Sequence, residues 1–127
     1  MAQSEIVVLV VEDEPLVRMA IVDYLEDEGF RVLQASNADE AVAILTRDLT
    51  VQIMFTDIDM PGGMDGLKLA AAVRDRWPPI KIVVTSGHRM VAADNLPLEA
   101  QFFPKPYDPD TIAGVFRAMG GARTDQP

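Results

Sequence analysis

The chain has 127 residues, enough for one domain with a single core, and its 49% apolar and 24% charged content excludes a disordered chain. It has no cysteine, which excludes disulfides and thiolate metal sites, and its longest unbroken apolar run, Ile6 to Val11, is far short of a ~20-residue membrane span. With 20 acidic and 11 basic residues the net charge is −9, which disfavours direct contact with DNA or RNA. The amino terminus, MAQSEIVVLV, has no basic segment ahead of its apolar run, so no export signal is expected and the cytoplasm is the expected location.

Apolar blocks of strand length then alternate with helical patterns. Ile6–Val11 reads as a strand. A helix follows, with Pro15 in its first turn, Val17, Ala20, Ile21, Tyr24 and Leu25 on one face, and Gly29 at its end. Arg31–Ala35 is a short second strand. Asn37 with Glu40 three residues on reads as a capping box for a helix whose face is Ala41, Val42 and Leu45. Val51–Thr56 is the third strand, and Leu67–Trp77 a helix stopped by Pro78-Pro79. Ile80–Val84 is the fourth strand, and the stretch after it, GHRMVAADNLPLEA, allows only a short helix ending near Asn95, ahead of Pro97. Gln101–Phe103 is a short fifth strand. Asp108-Pro109 opens a last helix carrying Ile112, Val115, Phe116 and Met119, with Gly120-Gly121 expected to close it and a polar tail over 121–127.

Near-continuous apolar strands separated by helices predict an α/β fold, a doubly wound five-stranded parallel sheet covered on both faces. Such folds place their sites outside the carboxyl ends of the strands, where strand order reverses. The candidate residues stand at those ends. They are Glu12-Asp13-Glu14 after the first strand, Asp57 and Asp59 after the third, Thr85-Ser86 after the fourth, and Lys105-Pro106 after the fifth. Each has a plainer reading alone: Glu14 as a helix cap, Asp59 and Asp65 as turn residues, Thr85 or Ser86 as a cap, and Lys105 as a solvated lysine. Their convergence on one sheet edge is the stronger signal. Two carboxylates ~4 Å apart repel by roughly 4 kcal/mol near a protein surface, so Glu12, Asp13 and Asp57 require a compensating cation. A hard dication such as Mg²⁺ fits oxygen donors of this kind. Metal, ammonium and hydroxyl around one carboxylate suit phosphoryl transfer, with Asp57 as the nucleophile.

These motifs together (VVEDE, DIDMP followed by MDG, VVTSG and FFPKPY) resemble the receiver domain of two-component response regulators, over residues 6 to 120. The resemblance implies a flavodoxin-like receiver fold and Mg²⁺ held by Glu12, Asp13, Asp57 and the main-chain carbonyl of Asp59, with Glu12 acting through water. It also implies Thr85 and Lys105 on the phosphoryl oxygens, a cis Lys105–Pro106 bond, and Phe102 as the aromatic switch residue. The implied partners are a sensor histidine kinase or histidine phosphotransfer protein and a downstream protein target, with neither nucleic acid nor membrane. Taken as a single receiver over residues 1–127, the chain would act through protein contacts alone. Three features depart from the commoner pattern. One extra residue lies between Pro61 and Asp65, Phe102 lacks a tyrosine hydroxyl, and the Thr85-to-Lys105 interval is about two residues short. Two other readings remain open: an interaction module that no longer takes phosphate, and a haloacid-dehalogenase-type phosphatase using Asp57 and Asp59. A nucleotide-binding G-x-x-x-x-G-K-[ST] loop is absent.

Overall fold

The computed structural model describes residues 5–59, 66–87 and 100–124 of the chain, the last four without their side chains. In chain order the elements are β1 (Val7–Val11), α1 (Pro15–Asp27), β2 (Arg31–Ala35), α2 (Ala38–Arg47), β3 (Ile53–Asp57), α3 (Gly66–Arg76), β4 (Lys81–Ser86), β5 (Gln101–Pro104) and α4 (Pro109–Thr124). The expected short helix between the fourth and fifth strands, and the loop carrying Gly62, Gly63 and Asp65, lie outside the described residues. All strand pairs are parallel, in the order β2-β1-β3-β4-β5. The sequence leaves β1 to pair outward with β2, then returns past β1 to β3, so the order reverses between β1 and β3.

Side chains along β1 alternate between two cores. Val7, Leu9 and Val11 pack with Ala38, Ala41 and Leu45 of α2 and Leu69, Ala70 and Val73 of α3. Val8 and Val10 pack with Ile21, Val22 and Leu25 of α1 and Ile112, Ala113 and Phe116 of α4. A strand buried on both faces must be apolar at every position, which is why VVLVV shows no alternation in sequence. Phe116 meets Phe30 and Phe55 edge to face, at ring separations of 6.0 and 5.6 Å, and so pins α4 beneath the sheet.

The helix ends follow local chemistry. Gly29, at φ 98°, closes α1, with the Gly29 and Phe30 amides donating to the Glu26 and Leu25 carbonyls. Asn37 Oδ1 accepts from the Glu40 amide at 2.8 Å, while the Glu40 carboxylate accepts from the amide and hydroxyl of Ser36. The capping box therefore forms, with its return arm reaching one residue further out than expected. The expected stop of the last helix at Gly120-Gly121 is corrected: α4 runs on to Thr124, into the expected polar tail. Glycine ends a helix by taking a positive φ, and Gly120 does not; it lies against Ile6, where a Cβ would come within 2.9 Å of the side chain. That glycine serves close packing instead.

Candidate functional site

β1 and β3 are neighbours in register, Val11 beside Thr56, so the next residue on each, Glu12 and Asp57, leaves the sheet edge side by side. Carboxylate oxygens of Glu12, Asp13 and Asp57 all lie within 4.8 Å of one another. Glu12 and Asp57 are buried and Asp13 is half-buried. Asp59 is not part of that group. Its amide donates to Asp57 Oδ1 at 2.8 Å, but its own carboxylate turns to the end of β4, where Oδ2 accepts from Ser86 Oγ and from the Gly87 amide. Glu14 stands at the N-cap of α1 without a side-chain capping bond.

Lys105, just past β5, reaches back across two strand ends. Its Nζ lies 2.9 Å from Asp57 Oδ2 and 3.3 Å from Glu12 Oε1. The ammonium thus supplies part of the positive charge that the gathered acids need. Three carboxylates against one ammonium still leave two negative charges, which matches one dication. Burial pushes the Glu12 carboxyl above its usual 4.5, and the nearby Asp57 charge adds to the rise; the Glu14 amide and Lys105 pull the other way without cancelling it. For Lys105, burial favours the neutral amine, yet the hydrogen bonds and charges of Asp57 and Glu12 together hold it above 10.5. The Lys105–Pro106 peptide is cis.

Thr85 is the Cα partner of Asp57 across β3 and β4 and is 2% exposed. Its Oγ1 is buried and has no hydrogen-bond partner among the described residues. An unmade hydrogen bond of this kind costs about 1–3 kcal/mol, so the hydroxyl is available to donate to an oxygen acceptor, of water or of a ligand, at the end of β4. Phe102 stands one strand further out, opposite Val84, half-buried against the core on the α2 and α3 side. It is placed behind the site rather than in it.

Two contacts were beyond the sequence argument. The Asp59–Ser86 bond depends on how the loop after β3 folds over β4, which residue spacing does not encode. Gly66 opens α3 where a Cβ would meet the Asp57 carbonyl oxygen at 2.4 Å and Ile58 Cα at 2.5 Å. The Asp65-Gly66 pair was the available signal for it, readable only as a turn.

The chain matches the response regulator receiver domain family over residues 8–117. It belongs to that family. The membership sets aside the dehalogenase-type phosphatase reading and makes this a receiver of two-component signalling. The receiver is 38% identical over 121 residues to the hydrogenase transcriptional regulatory protein HoxA of Cupriavidus necator, an alignment covering 92% of this chain and 24% of HoxA. It is 38% identical over 116 residues to the sensor kinase CckA of Brucella abortus, covering 88% of this chain and 12% of CckA. It therefore spans a quarter or less of these curated relatives. Among solved structures, the response regulator TrrA of Thermotoga maritima in complex with Mg(2+)-BeF superposes with a TM-score of 0.77 at 23% identity, over 90% of this receiver and 98% of that chain. That likeness is one of fold. Among the described residues no helix is long and apolar enough to cross a membrane.

Proposed function

We propose that this receiver accepts a phosphoryl group on Asp57 from a phosphohistidine of a sensor histidine kinase or histidine phosphotransfer protein, and passes the change on by protein contact. The observation that carries the reading is the Thr85 hydroxyl, buried beside Asp57 with no partner among the described residues. A fold kept only as an interaction module would gain by replacing that threonine with valine. A domain that must grip a phosphoryl oxygen keeps it.

In the transfer, an Asp57 carboxylate oxygen attacks phosphorus, the P–N bond breaks, and its electron pair stays on the donor imidazole. Thr85 donates its O–H to one phosphoryl oxygen, and Lys105, already on Asp57, pairs with another. The residues present fit Mg²⁺: Glu12, Asp13 and Asp57 offer hard oxygen donors within reach of one ion, and the Asp59 carbonyl would be a further ligand by the family resemblance. When bound, the ion supplies positive charge that offsets charge on the phosphoryl oxygens. The donor's seat is the face of α1 next to the acidic loop, where an apolar groove of about 330 Å³ is lined by Leu16, Val17, Ala20, Ile21, Tyr107 and Pro109. Leu16 in that groove is 80% exposed and Met19, elsewhere on α1, is 53% exposed, a cost to solubility that an apolar helix of the donor would offset.

Titration with beryllofluoride and Mg²⁺, followed by NMR of the Asp57 and Thr85 amides, tests this. Wild type should respond at both amides, Thr85→Val should bind about tenfold more weakly for want of one charge-assisted hydrogen bond, and Asp57→Asn should not respond. Equal affinity of Thr85→Val and wild type would remove the reading's main support.

A further inference from the structure

Arg18 makes two ties that phosphoryl transfer itself does not use. It lies one turn into α1, and helical side chains lean toward the helix N-terminus, so its guanidinium returns to the end of β1. There Nη1 donates to the Glu12 carbonyl at 2.8 Å and Nε donates to Gln34 Oε1, on β2, at 3.1 Å. The Glu12 amide donates to the Ala35 carbonyl at 3.0 Å, so the backbone of Glu12 is held on both sides. The Glu12 carbonyl shares a rigid peptide plane with the amide of Asp13. Fixing that oxygen fixes the peptide plane from which the Asp13 Cα projects, and so narrows the positions its side chain can take. The Asp13 carboxylate makes no hydrogen bond among the described residues, so its aim depends on that backbone.

We propose that Arg18 is a positioning residue which, through the Glu12–Asp13 peptide, aims the Asp13 carboxylate at the Mg²⁺ seat and thereby sets Mg²⁺ affinity; this rests on the magnesium reading above. Arginine suits the task because its planar fork serves two acceptors on different elements at once. Charge alone predicts the reverse effect. A guanidinium beside a dication site repels the ion, so by electrostatics its removal would tighten binding. The tether predicts weaker binding, and the two accounts differ in sign.

Calorimetric titration of the full chain with Mg²⁺, well below its unfolding temperature, separates them. Arg18→Ala should weaken binding about tenfold, the low end for outer-shell partners of metal ligands. Arg18→Lys, which keeps the charge and can serve one acceptor, should recover part of the loss. Gln34→Ala changes no charge and should weaken binding about threefold, of the order of one net hydrogen bond. The double variant should be no weaker than Arg18→Ala alone, because both act through one tether. Amide exchange at Asp13 and Glu14 in metal-free protein should quicken in Arg18→Ala. Unchanged or tighter Mg²⁺ binding by Arg18→Ala, or additive losses in the double variant, would overturn the role. A wild type that takes no Mg²⁺ would overturn the magnesium reading itself, and this role with it.

Discussion

Gly66 sets the tolerance at the residue scale. Any side chain there must displace the backbone of Asp57 and Ile58, which no rotamer change can avoid. Gly66→Ala should cost about 1–3 kcal/mol, as overpacking does, in denaturant unfolding, and should weaken Mg²⁺ binding together with stability. Glu12 behaves in the opposite way. Its folded pKa lies above 4.5, so the folded state is penalised for ionising it. That penalty is fully present above the folded pKa and vanishes below 4.5, where the carboxyl is protonated in both states. Glu12→Gln should therefore unfold at a higher temperature than wild type in metal-free buffer at neutral pH, with the gap closing as pH falls toward 4.5. A gap independent of pH would show that the gain is not electrostatic. Lys105→Ala should still take up phosphate, since the proposed metal ligands remain, but should pass the state on poorly. Loss of uptake as complete as in Asp57→Asn would contradict that division of labour.

At the scale of elements, local rules and packing divide the work. The Asn37 cap is local: its side chain satisfies the Glu40 amide, and Asn37→Ala should cost about 1 kcal/mol, measurable by thermal unfolding. The end of α4 is not local, because Gly120 answers to Ile6 across the fold, and a sequence read in windows cannot show that neighbour. The same limit governs the site. Strand ends were legible because apolar runs stop abruptly at charged or hydroxyl residues, so Glu12, Asp13, Asp57, Thr85 and Lys105 could be named from the sequence. That Lys105 would also touch Glu12, or that Arg18 would reach Gln34, depends on strand order and helix rotation. Phe102 shows both sides: the family resemblance marked it in the sequence, while its place beside Val84 and its half-burial against the α2 and α3 side were matters of pairing and packing. Phe102→Ala should leave phosphate uptake intact and uncouple partner binding from it. Partner affinity that still responds to phosphorylation in that variant would show that Phe102 does not act as the switch residue.

For the whole molecule, the sheet holds one charge-rich edge between two apolar cores. The order β2-β1-β3-β4-β5 places the acids of β1 and β3 at the reversal, the hydroxyl of β4 beside them, and the lysine of β5 within reach. Helices α1 and α4 are tied outside the core by Tyr24 to Asp110 and by Arg117 to Glu28, so the face proposed for the phosphodonor would be carried on a braced pair. The central claim is that one residue at this edge, Asp57, takes the phosphoryl group. Intact mass after incubation with acetyl phosphate and Mg²⁺ tests it most directly. Wild type should gain a single phosphoryl mass that is lost on chelating the metal beforehand and is absent in Asp57→Asn; a phosphoryl adduct that persists in Asp57→Asn would contradict the account.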